Sequence, residues 1–182
     1  MTNAVAKQKL SVKAQTIGAI IAIISAVAVP QILHVIGAAS GFGTALGEIF
    51  LPMHLPIILA GLLAGPYAAG IAGLLGPLVS YLLTGMPGSV MLPFMMIELA
   101  VYGISAGMLR NVKIPNIAKV LIAQILGRAV RGGAILIAFY AFGSAIKPAV
   151  ILSSISAGLI GIVLQLIIIP LAVYRLRSAD NE

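Results

Sequence analysis

The amino-acid sequence predicts an all-α integral membrane protein, a bundle of six transmembrane helices, from three observations. Of the 182 residues, 61% are hydrophobic and only 8% are charged, whereas an ordinary soluble domain carries about 25% charged residues. The mean hydropathy is +1.17. The apolar residues fall into long blocks, and a membrane-spanning helix needs about 20 such residues. A soluble globular protein is therefore excluded. The lack of cysteine also excludes disulfide scaffolds and thiolate sites.

Six spans and a single membrane domain, residues 1–182, follow from the order of the apolar blocks. The block 53–83 is too long for one crossing. The Gly65–Pro66 pair in its middle is a strong helix breaker, so the block is interpreted as two short helices. The six predicted spans cover residues 12–36, 53–64, 67–83, 90–109, 117–142 and 149–174.

The lysines and arginines indicate how the bundle is oriented. With six spans, three basic clusters fall on one side of the membrane, and the positive-inside rule makes that side the cytoplasm. Both termini are then cytoplasmic, and the loops at 37–52, 84–90 and 143–148 face outward. The formal charge of +7 is thus explained by membrane topology rather than by nucleic-acid binding. The clusters are Lys7, Lys9 and Lys13, then Arg110, Lys113 and Lys119, and finally Arg175 and Arg177.

A ladder of small residues runs along the first span, at Ala14, Gly18, Ala22 and Ala26. Side chains four residues apart share one face of a helix, and small residues let two membrane helices approach closely. Two interpretations remain open at this point: packing within the bundle, or docking to a separate membrane subunit.

Ionisable residues inside the spans are the first candidates for a functional site, because charges in hydrocarbon are costly and usually face the interior or a cavity. Glu98 and Tyr102 share a face of the fourth span, while Arg128 and Arg131 lie in the fifth. A Glu98–arginine ion pair could be purely structural. One arginine would then remain, which favours a wet cavity or a polar ligand.

Further polar candidates lie near the outer loops: His34, Glu48 and His54, with Ser154 in the sixth span. Two histidines and one carboxylate without HExxH spacing do not support a metal site. The sequence also has no GxxxxGK[ST] nucleotide loop and no GxSxG motif. The chain is therefore predicted not to be an enzyme, and any ATP would be used by a partner.

Three stretches resemble a known family: LPMHLPIILAGLLAGPY at 51–67, GPLVSYLLTGMP at 76–87 and MIELAVYG at 96–103. They are similar to the substrate-binding S components of energy-coupling factor (ECF) vitamin transporters. The resemblance covers about residues 11–175.

This resemblance implies a multi-pass protein of the bacterial plasma membrane that binds a vitamin or precursor in an outward-facing pocket. It implies association with a transmembrane coupling subunit and two cytoplasmic ATPases, which use ATP and Mg, and no cofactor in this chain. The family carries small-residue motifs of the AxxxA kind on span one as its docking face. The matching positions are Ala14, Gly18, Ala22 and Ala26, with glycine in place of one alanine.

Within the family, the sequence looks most like members assigned to hydroxymethylpyrimidine or pyridoxine. Glu98 would then accept a hydrogen bond, and Tyr102 or His54 would stack on the ring. Pantothenate is the alternative, with its carboxylate on Arg128 or Arg131. A stand-alone transporter coupled to protons through Glu98 is a further alternative. The substrate-binding residues expected from the sequence are His34, Glu48, His54, Glu98, Tyr102, Arg128, Arg131 and Ser154.

Overall fold

A computed structural model describes residues 10–179, which form eight α-helices and no strand. Six segments of this part of the chain are long and apolar enough to cross a membrane, which confirms the predicted all-α membrane bundle. Lys7 and Lys9, used above for the orientation, lie outside the described residues. The helices are α1 (Val12–Ala39), α2 (Ala45–Phe50), α3 (His54–Ala64), α4 (Pro66–Thr84), α5 (Leu92–Leu109), α6 (Asn116–Phe142), α7 (Ala149–Ala157) and α8 (Leu159–Ala179).

Local sequence accounts for several helix ends. The Ser11 side chain accepts a hydrogen bond from the Ala14 backbone N–H and caps the start of α1. Gly65, with φ of 92°, ends α3, and Pro66 occupies the first position of α4, where a proline costs no hydrogen bond. The break predicted at this pair is therefore confirmed. Gly143, with φ of 65° and ψ of 32°, ends α6 in the left-handed helical conformation that favours glycine.

The second crossing differs from its prediction. Residues 37–52 were expected to form a loop, but α2 lies within them. With 11 residues, α3 spans only about 16 Å, roughly half of the hydrocarbon layer. The continuous apolar segment Ala45–Ala64 supplies the crossing instead. Leu51 turns the chain between α2 and α3 in a left-handed conformation, with φ of 49°.

The last crossing is also interrupted. A continuous span at 149–174 was predicted, yet α7 ends at Ala157 and α8 begins at Leu159. Gly158 separates the two helices, and a Cβ atom there would lie 2.8 Å from Leu51 Cδ1. The lack of a side chain at Gly158 therefore makes room for the corner between α2 and α3. The membrane-crossing segment is α8 alone, over Leu159–Leu176.

Close packing of α4 against α5 fixes the helix that carries Glu98. Cβ atoms added at Gly73, Gly103 and Gly107 would overlap the backbone of the facing helix. Small residues at such positions let membrane helices approach within backbone contact. The floor of the site described below therefore rests on a rigid pair of helices.

The ladder on α1 is exposed at its start and buried further along the helix. Ala22 is 3% exposed and Ala26 is fully buried. A Cβ atom on Gly18 would lie 2.5 Å from the Cβ atom of Ala64 on α3, and only Ala14 is exposed. Three of the four positions therefore contribute to packing within the bundle, and docking of a separate subunit through this ladder stays a prediction.

One end of the bundle carries a cluster of basic residues. We call the end that holds the start of α1, the α5–α6 turn and the end of α8 the basic end. The buried Lys119 donates from Nζ to the Arg110 carbonyl at 3.0 Å and so satisfies the C-terminus of α5. The basic residues at this end include Lys13, Arg110, Lys113, Lys119 and Arg175.

Two buried amides join α6, α8 and the α2–α3 corner. Gln124 Nε2 donates to Gln165 Oε1 at 2.9 Å, and Gln165 Nε2 donates to the Leu51 carbonyl at 3.1 Å. Gln124 is 4% exposed and Gln165 is 2% exposed. The pair holds the corner against α8.

We expect Gln165→Leu to lower the free energy of unfolding by about 1–3 kcal/mol, because it strands the Gln124 amide in an apolar interior. Adding Gln124→Leu should recover most of this loss, since replacing both partners by apolar groups is nearly neutral. Gln31→Leu, which removes an exposed hydrogen bond to Thr84, is the control. Unfolding in detergent measures all four proteins. A double variant that is no more stable than Gln165→Leu alone would contradict this account.

Candidate functional site

A cavity of about 580 Å³ opens at the end of the bundle opposite the basic end. This volume lies in the range of small-molecule sites. Its walls come from the ends of α1 and α4, from α2, α5 and α7, and from α6 through one arginine. Six of the predicted site residues line it: His34, Glu48, His54, Glu98, Arg131 and Ser154.

Three hydrogen-bonded side chains and a neighbouring histidine lie at the cavity floor, and we call them the polar cluster: Glu98, Tyr102 and Arg131, with His54. Glu98 Oε1 accepts from the Tyr102 hydroxyl at 2.9 Å, and Oε2 accepts from Arg131 Nη1 at 3.1 Å. His54 Nε2 lies 3.8 Å from Oε2. Because Glu98 is only 1% exposed, these partners are what makes a carboxylate tolerable at this depth.

Tyr102 lies beneath the cavity rather than in its wall. Its side chain is 1% exposed and its ring packs against His54, with centroids 5.3 Å apart. Gly127 on α6 provides the space, since a Cβ atom there would overlap the tyrosine ring. The expectation that Tyr102 stacks on a ligand is corrected accordingly: it orients Glu98, and His54 is the ring that reaches the cavity.

Arg128 does not line the main cavity either, although it was expected in the binding site. It borders a separate pocket of about 10 Å³, together with Arg131 and Ser154. Of the two arginines on α6, only Arg131 pairs with Glu98. The predicted ion pair is therefore present, and the predicted surplus arginine lies behind the cavity wall.

His34 on α1 and Glu48 on α2 both line the cavity near its mouth. A Cβ atom on Gly47 would lie 2.7 Å from His34 Cε1, so this glycine lets α2 approach α1. Glu48 is exposed. Within residues 10–179, no three His, Asp or Glu side chains are close enough to form a metal site.

The sequence interpretation missed the two methionines that α5 and the residue before it contribute to the cavity wall, Met91 and Met95. Both line the cavity, and Met91 Sδ lies 3.5 Å from Arg131 Nη2. They precede Glu98 by seven and three residues, so helical periodicity places them on its face and could have identified them. Further lining residues are Pro30, Thr44, Gly47, Leu51, Pro52, Met53, Ser80, Met86, Pro87, Gly88, Val150, Ser153 and Ala157.

A helical bundle of six membrane crossings with a polar cluster in a cavity of this size defines a class, the membrane proteins that bind small solutes. The chain belongs to one family of this class: residues 13–173 match the family described as ECF transporter, substrate-specific component. No curated protein and no solved structure matches the chain. Members of this family are substrate-binding subunits of transporters rather than enzymes, and they act with an ECF membrane and ATPase module.

Proposed function

We propose that this chain binds a small water-soluble vitamin or vitamin precursor in the cavity, from the outer face of a bacterial plasma membrane. The observation that carries this proposal is the polar cluster at the floor of a cavity with mostly apolar walls. The positive-inside rule supports the orientation, since the basic end would lie in the cytoplasm and the cavity would open outward. Delivery would require a transmembrane coupling subunit and two ATPases.

Hydroxymethylpyrimidine and pyridoxine are the proposed ligands. His54 Nδ1 is buried and has no hydrogen-bond partner among the described residues. This atom could bond a ring nitrogen or a hydroxyl group, which these heteroaromatic molecules carry. Met91 and Met95 add polarisable contacts for an aromatic ring. The Glu98 carboxylate is already paired with Arg131. This pairing favours an uncharged ligand in contact with Glu98.

Pantothenate is the second candidate. Arg131 pairs with Glu98 and Arg128 lies behind the cavity wall, so the region around the site carries an excess positive charge. A carboxylate ligand would form charge-assisted hydrogen bonds with Arg131.

The ligand is identified by thermal unfolding of the purified protein with each of the three compounds. A ligand at 100 times its Kd stabilises the folded state by about 2.7 kcal/mol, so a clear upward shift in Tm is expected with hydroxymethylpyrimidine or pyridoxine. A shift with pantothenate alone would reverse this ranking. No shift with any of the three would contradict the proposed ligand class.

Uptake into cells separates the proposal from a stand-alone secondary transporter. We expect uptake of the bound vitamin to disappear when the ATPase subunits are deleted. Uptake that survives this deletion and stops when the proton gradient is dissipated would favour the proton-coupled alternative.

A further inference from the structure

A second, much smaller pocket lies behind the wall of the main cavity. Its volume is about 10 Å³, which is room for one water-sized body. Arg131 and Ser154 line both the small pocket and the main cavity. Arg128 lines the small pocket but not the main cavity. The remaining lining residues are apolar: Gly132, Ile135, Ile151 and Ile155.

The polar groups around this pocket offer hydrogen-bond donors and no carboxylate. Arg128 Nε and Arg131 Nε are both buried, and neither has a hydrogen-bond partner in the described part of the chain. The Ser154 hydroxyl donates to the Ile151 carbonyl at 3.0 Å. The unpartnered donors on the residues that line the pocket therefore belong to two guanidinium groups, which is the chemistry of an anion site.

The charges near the pocket do not balance. Arg128 and Arg131 are three residues apart on α6, and like charges at this spacing repel each other. Glu98 pairs with Arg131, and among residues 10–179 no carboxylate lies within ion-pair distance of Arg128. One positive charge at membrane depth is left over, and a charge without a counter-charge is costly there.

We propose that a single monatomic anion, chloride under physiological conditions, binds between Arg128 and Arg131 in this pocket. It would neutralise the leftover charge and separate the two guanidinium groups. The pocket has room for one small ion and is far smaller than the main cavity, so this site is distinct from the vitamin site. Because Arg131 also belongs to the polar cluster, the anion would hold Arg131 in place for the vitamin.

The test is the Tm of the purified protein without any vitamin, as chloride replaces methanesulfonate, a larger anion, at constant ionic strength. We expect chloride to raise the Tm by about 5–10 °C at saturation, given the usual size of ligand stabilisation for a chain of this length. Arg128→Gln should remove this dependence. In methanesulfonate this variant should be at least as stable as the original, because it removes the repulsion between two arginines three residues apart on α6.

Arg175→Gln is the matched control, since Arg175 is an exposed arginine at the basic end; it should keep the full chloride dependence. Three results would each overturn the proposal: a Tm of the unaltered protein that does not respond to chloride, a response that survives in Arg128→Gln, or one that disappears equally in Arg175→Gln. A Tm that does not respond to chloride would indicate that the pocket holds water rather than an anion. Since no vitamin is present, none of these outcomes bears on the proposed vitamin site.

Discussion

Glu98→Gln is expected to weaken vitamin binding at least about thirtyfold, because it removes the charge that organises the cavity floor. The amide keeps the shape of the side chain and still accepts from Tyr102, but Arg131 loses its counter-charge. Truncating one partner of a buried hydrogen-bonded charge pair costs about 2–5 kcal/mol. The same variant should unfold more easily, since Arg131 is left charged in the interior.

A second variant separates these two effects. Adding Arg131→Gln removes both charges, so we expect stability to recover while vitamin affinity stays low. Lys113→Gln, at an exposed position of the basic end, controls for the loss of a charge and should change neither quantity. Isothermal titration measures the Kd for the vitamin, and thermal unfolding measures the Tm. Affinity that recovers together with stability would show that Glu98 acts only in folding and would contradict its role in binding.

Gly127→Ala is expected to weaken vitamin binding about as strongly as Glu98→Gln does, although Gly127 does not line the cavity. An added methyl group would overlap the Tyr102 ring, and Tyr102 supports both Glu98 and His54. Overpacking a well-packed core costs about 1–3 kcal/mol. The displaced ring would draw Glu98 away from the position in which Arg131 pairs with it.

Gly133→Ala provides the matched control on the same helix, because an added Cβ atom there has no neighbour within 4 Å. We expect it to leave affinity unchanged and stability equal or slightly higher, since alanine is a better helix former than glycine. If Gly127→Ala folds poorly, Gly127→Ala combined with Tyr102→Leu should restore folding but not affinity. Equal affinities for Gly127→Ala and Gly133→Ala would refute the supporting role of Tyr102.

Hydropathy and helix breakers predicted most of the fold. The apolar blocks identified the membrane crossings, and Gly65–Pro66 marked the boundary between α3 and α4. The convergence of Glu98, Arg131 and His54 could also be expected, because charges at membrane depth need partners and few were available.

The features that sequence reasoning missed depend on which helices become neighbours. The ladder with Ala22 and Ala26 suits an internal contact and a docking face equally well in the sequence, and only the structure shows that these two residues are buried in the bundle. Gly158 contacts Leu51, which is more than 100 residues away in the chain. Arg128 borders a pocket that α7 also lines, and the sequence does not show that α6 and α7 meet there.

The central claim is that the cavity opens to the outside and binds the vitamin, and cysteine labelling in intact cells tests it most directly. The chain contains no cysteine, so single replacements give an unambiguous signal with a membrane-impermeant maleimide. Ser153→Cys places the thiol in the cavity wall, and Lys113→Cys places it at the basic end. We expect Ser153→Cys to be labelled from outside and protected by the vitamin that raises the Tm, and Lys113→Cys to be labelled only after permeabilisation. Labelling of Lys113→Cys alone in intact cells, or labelling of Ser153→Cys that no vitamin slows, would contradict the account.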